Sequence, residues 1–125
     1  MLPYSFYKVV HIFGIALTMV SLGGMFVHAL NGGLKLENQA RKLLIGMHGT
    51  GVLLILVGGF GMLARIGFTH GANFPAWLWT KLGVWTIVAA VAALPYRQPS
   101  LGRPMLLTLP LLAMTAAAMA VYKPW

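Results

Sequence analysis

Apolar residues in this chain run in four long blocks, 4–30, 42–66, 74–95 and 103–122, each of about 20 residues or more. At about 1.5 Å of rise per residue, each block can cross a hydrocarbon core of about 30 Å as one helix. The segments between them carry the chemistry of chain breaks. "NGGLKLENQARK" (31–42) opens on Asn-Gly-Gly, "GFTHGANFP" (67–75) has two glycines and a proline placed ahead of a helix, and "PYRQPSLGRP" (95–104) is proline-rich. Short connections make sequential helices antiparallel neighbours. The pattern therefore predicts an all-α, integral membrane four-helix bundle, up-down-up-down, with both termini on the same side and residues 1–125 as a single domain. The first block lacks a basic leading region and a small-residue cleavage site, and its apolar run exceeds that of a signal peptide, so it is expected to persist as a helix.

Within the blocks the polar and small residues are periodic. Tyr4, Tyr7, His11, Gly14, Thr18, Ser21, Met25 and His28 recur at spacings of three and four, which places them on one stripe of the first helix. The second block repeats the device with Arg41, His48, Gly51, Ile55, Gly58, Met62 and Arg65. In a bilayer such stripes face other helices, because small residues allow close approach and hydroxyls bond across the interface. The two stripes are expected to face each other, with Gly14, Gly51 and Gly58 as packing contacts. Pro110 is expected to kink the fourth helix, with Thr108 or a neighbour covering the freed carbonyl. Tyr4, Trp77, Trp79, Tyr122 and Trp125 are read as an aromatic belt at the membrane surface.

Composition agrees with the pattern: 59% of the 125 residues are hydrophobic and 8% charged, with a mean hydropathy of +0.83, whereas soluble domains are about a quarter charged. The formal net charge of +8 is divided between the two ends of the helices. Lys35, Arg41, Lys42, Arg97 and Arg103 flank the loops of one side, and Lys8, Arg65, Lys81 and Lys123 belong to the side of the termini. Because Lys8 and Lys81 fall within the spans, the positive-inside rule puts both termini outside the cytoplasm of a bacterial-type inner (plasma) membrane. A charge so divided reads as topology and contact with the lipid bilayer, and not as a nucleic-acid surface. The absence of cysteine excludes disulfide, thiol and iron–sulfur chemistry.

The titratable residues then sort by depth. His11 and His28 lie about 25 Å apart along one helix axis, too far to share a ligand. Towards the outer surface, His11 falls at the depth of Met62 and Lys81, with Lys8 and Arg65 nearby among aromatic residues. Towards the loops, antiparallel packing is expected to bring His28 near His48, at a depth offset of about 6 Å. The one acid, Glu37, is in a loop, so no span contains an Asp or Glu to meet the charge of Lys81. An ionisable residue inside a membrane points to function unless it snorkels to the surface. A flat apolar ligand with carboxylates suits the outer pocket, and haem b or another porphyrin has that character; imidazole or Met sulfur ligates haem iron. The candidate cofactor residues are His11, His28, His48, Lys81, Met62, Lys8 and Arg65, with His11 and His48 as metal ligands. The bland readings are interfacial hydrogen bonding for His28, a loop position for His70 and packing for Met25 and Met62.

Two stretches also carry a family resemblance. "YKVVHIFGIALTMVSLGG" (7–24) and "WLWTKLGVW" (77–85) resemble the first and third helices of the small four-span membrane proteins that include the HemJ-type protoporphyrinogen oxidases, the CopD-type copper-resistance proteins and the SirB-like proteins. In these a histidine early in the first span precedes an aliphatic run and a glycine pair, and a Trp precedes a Lys early in a later helix. The resemblance implies that His11 and Lys81 are the polar residues of a porphyrin or haem site. The resulting expectation is a haem- or porphyrin-binding membrane protein with a redox role, electron transfer or porphyrinogen oxidation, linked to quinone. The alternatives are a non-enzymatic assembly subunit, whose glycine faces meet another protein or a second copy, and a copper-transport protein using Met19, Met25, Met47 and His48. Proton-coupled cation export needs a membrane-embedded carboxylate, which this chain lacks. The charge bias argues against a dual-topology fluoride channel.

Overall fold

A computed structural model describes residues 2–67 and 74–122. Four helices carry the fold among these residues: α1 (Tyr4–Leu30), α2 (Arg41–Arg65), α3 (Ala76–Ala90) and α4 (Gly102–Tyr122). A 3-10 turn, Val91–Ala93, lengthens α3 to an 18-residue apolar segment, and all four are long and apolar enough to cross a membrane. His70, Lys123 and Trp125 lie outside the described residues.

The breaks form where the sequence places them. After Leu30, Gly32 adopts φ +85°, a left-handed conformation that only glycine enters without steric cost. Its N–H donates to the Ala29 carbonyl at 3.1 Å and that of Gly33 to the His28 carbonyl at 2.9 Å, the paired bonds of a Schellman ending. Pro75, in extended conformation, precedes α3; its missing N–H costs nothing ahead of a first turn. α4 continues through Pro110, which leaves the Leu106 carbonyl without its usual helical donor.

The closest helix interface joins α1 and α2. Moving up α1, the partners on α2 move down: Tyr7 meets Gly61, His11 meets Gly58, Gly14 meets Gly51 and Gly24 meets Leu44. The two stripes do face each other. A Cβ on Gly14 would stand 2.7 Å from the Gly51 carbonyl oxygen, and one on Gly58 2.7 Å from the His11 backbone nitrogen, so the backbones touch where the side chains are absent. The hydroxyls do not bond across this interface as expected. Thr18 donates to the Gly14 carbonyl at 2.8 Å and Ser21 to the Thr18 carbonyl at 2.9 Å, each within α1. The Thr18 hydroxyl stands against Gly51 of α2, yet the helix's own carbonyls satisfy these buried groups.

Two apolar clusters close the rest. Leu22, Met25 and Phe26 of α1 pack with Val88, Val91 and Leu109, and Leu63, Trp77 and Leu78 form the second cluster, with Phe74 and Met119 against it. Trp77, expected in the surface belt, is only 7% exposed; from the first turn of α3 it packs inward with Leu63. Tyr4, Trp79 and Tyr122 are exposed as expected. The bundle is unevenly closed, since 33% of the most apolar window of α1 is buried but only 6% of that of α4.

Candidate functional site

His11 lines a cleft of about 380 Å³ to which all four helices contribute, within the size range of small-molecule sites. α1 supplies Lys8 and His11, α2 supplies Met62, and α3 supplies Trp77, Lys81 and Trp85. The wall from α4 includes Ala113, Ala116, Ala117 and Ala120, whose small side chains leave the space open. Most of the lining is apolar, and it contains two lysines and no carboxylate.

The histidine is held in one orientation. Its Nδ1–H donates to the Ile55 carbonyl at 2.8 Å, and because a carbonyl only accepts, Nδ1 carries the proton. In a neutral ring held this way the lone pair is on Nε2, which is how a backbone carbonyl prepares histidines that ligate metals. Glycines make the approach possible: Gly58 lets the α1 backbone touch α2, and the His11 ring lies 3.5 Å from where a Cβ on Gly59 would be. Trp85 is fixed similarly, its indole N–H donating to the Val52 carbonyl at 2.9 Å. These two bonds tie α1 and α3 to successive turns of α2.

The structure brings together His11, Lys8, Lys81 and Met62 from the sequence-derived set and separates the others from them. His48 is buried, and its Nε2–H donates to the Val88 carbonyl of α3 at 3.1 Å. His28 stands at the loop end, where its Nδ1 and the Tyr96 hydroxyl share a hydrogen bond of 2.8 Å and Asn38 Nδ2 donates to the same hydroxyl at 2.9 Å. His28 and His48 are therefore not neighbours. Gly24 and Leu44 are level; His28 lies one turn beyond them towards the loop and His48 one turn towards the far end, about 12 Å apart along the axis at 1.5 Å per residue. The glycine contacts set this register, and the expected offset of about 6 Å did not include them. Arg65 is exposed at the end of α2 and is not in the cleft wall. Met19 and Met25 belong to the apolar core. No group of three or more His, Cys, Asp or Glu that could hold a metal occurs among the described residues.

Two contributors were overlooked in the sequence although a signal existed. Trp85 follows Lys81 at a spacing of four and so shares its face of α3, and the alanines 113, 116, 117 and 120 form a small-residue stripe on α4. The Asn38–Tyr96–His28 contact had no such signal, because it joins two loops remote in sequence. No protein-family model, curated protein or solved structure matches this chain.

Proposed function

We propose that the protein binds haem or a related porphyrin within the membrane and has a redox role linked to quinone. The carrying observation is the hydrogen bond from His11 Nδ1–H to the Ile55 carbonyl, which occupies Nδ1 and leaves Nε2 as the ligating nitrogen in an apolar cleft shared with Lys8 and Lys81. The donor set fits the group: imidazole suits the iron, cationic side chains suit carboxylates, and the apolar lining suits a flat ring. Bound there, haem would supply one-electron transfer. The chain's own part is to fix the imidazole, offset the ligand's negative charge and keep water away. The resemblance of the first and third spans to the HemJ, CopD and SirB-like group favours the same two residues, His11 and Lys81. The proposal includes the up-down-up-down order with both termini outside the cytoplasm, which the charge distribution supports.

An absorption spectrum of the detergent-purified protein, oxidised and dithionite-reduced and with hemin added if colourless, tests this reading. A Soret band that shifts on reduction is expected, with most of it lost in His11→Ala while the helical content is kept. Lys81→Ala should weaken hemin retention about tenfold, in line with a charge-assisted contact, and Lys81→Arg should weaken it less. Unchanged occupancy in His11→Ala would remove that residue from the site. The second reading, an assembly subunit, is favoured by the open face of α4, where Leu107, Leu111 and Met114 are exposed; it predicts a protein that stays colourless with hemin.

A further inference from the structure

A second cavity, of about 750 Å³, lies at the loop end of the bundle and is lined by Lys35, Arg41 and Arg97. No carboxylate is among its lining residues. The only acid of the chain, Glu37, is used locally, accepting the Leu34 N–H at 3.2 Å. Arg41 is half-buried, and its buried Nε has no hydrogen-bond partner. A guanidinium donor withdrawn from water and left unmatched is costly, and two further cations in the same wall add mutual repulsion. Both costs fall if an anion occupies the space. The Tyr96 hydroxyl at the rim is already fixed between Asn38 and His28, so the wall is positioned in advance.

We propose that this cavity binds a phosphate group, with Arg41 as its principal ligand and Lys35 and Arg97 as supporting charges. The planar guanidinium can present Nε–H and a terminal N–H to two phosphate oxygens together. Two sources supply this chemistry, the headgroup of an anionic lipid and free phosphate. Met25, Ala29 and Ile45 give the cavity an apolar floor, which suits the glycerol and first methylenes of a lipid.

The experiment titrates the detergent-solubilised full chain with short-chain phosphatidylglycerol and, separately, with inorganic phosphate, reading melting temperature and occupancy by native mass spectrometry. Phosphatidylglycerol should raise the melting temperature. Its apparent affinity should fall about tenfold or more in Arg41→Gln, less in Arg41→Lys, and not at all in Arg103→Gln, an exposed cation outside the cavity wall. Inorganic phosphate showing the same dependence on Arg41 would support the site with the free anion as its occupant. If neither binds, or if Arg103→Gln loses as much as Arg41→Gln, the attraction is a general surface effect and the proposal is overturned. Should Arg41→Gln fail to fold, Arg97→Gln and Arg41→Lys together make the same comparison.

Discussion

Gly58 and Gly59 are adjacent in the chain, but the structure asks different things of them. A Cβ on Gly58 would lie 2.7 Å from the Tyr7 carbonyl oxygen and the His11 nitrogen, both backbone atoms, whereas one on Gly59 would meet only the His11 ring at 3.5 Å. Gly58→Ala must therefore push two helix backbones apart, at a cost of about 1–3 kcal/mol. Gly59→Ala makes ordinary contact and gains helix propensity of up to about 1 kcal/mol. Thermal unfolding in one detergent should show the first variant lowered and the second unchanged or raised; equal behaviour would mean that the helices are not in backbone contact. The Gly58 variant should also lose hemin if the proposed site is correct, because His11 rides on the displaced backbone. The sequence made much of this legible. Spacings of three and four placed Tyr7, His11, Gly14 and Thr18 on one face, and Gly51 and Gly58 on another, from periodicity alone. Periodicity does not say which atom a polar group reaches, so the return of the Thr18 hydroxyl to its own helix and the His11–Ile55 bond are properties of the packing and not of the spacing.

Helices were easier to read than the way they pair. Asn-Gly-Gly after Leu30 and Pro75 before Ala76 are local signals, and α1 and α3 end and begin where these signals act. Register is not local: the fit of Gly14 on Gly51 fixes it, and one turn of slippage would have about halved the depth offset between His28 and His48. Trp77 shows the same limit, since an aromatic residue near a helix end reads equally as belt or core until its neighbour Leu63 is in place. The loops depend on pairing too. Tyr96 joins the segment before α4 to Asn38 in the segment before α2 and to His28 at the end of α1. Tyr96→Phe removes two hydrogen bonds while keeping the ring, and a loss of about 1–2 kcal/mol is expected for partners that can reach water. Amide hydrogen exchange should accelerate in residues 31–40 and 94–101 and stay unchanged in the centres of α1 and α2. Acceleration along the whole chain would show that the contact supports the bundle itself and does more than tie the loops.

The chain has no cysteine, which makes the proposed arrangement in the membrane directly measurable. Ser5 and Ser100 are exposed near opposite ends of the helices. Introduced separately as Ser5→Cys and Ser100→Cys, they should react with a membrane-impermeant maleimide from opposite sides, position 5 on intact cells and position 100 only after lysis. Labelling of both on intact cells would contradict the charge-based orientation. The uneven closure of the bundle has a further consequence, for the order in which the protein is made. The tightest contact is between the first two helices, which are also neighbours in sequence, and a short sequence separation favours early contact. As the chain leaves the ribosome N-terminus first, this hairpin can close once Arg65 has emerged, while the synthesis of α3 and α4 is still under way. At that stage both partners of the His11–Ile55 bond are present, but the cleft lacks the residues of α3 and α4. The lysine of α3 and the alanines of α4 arrive later, so the cleft gains its full lining only once α4 has been made.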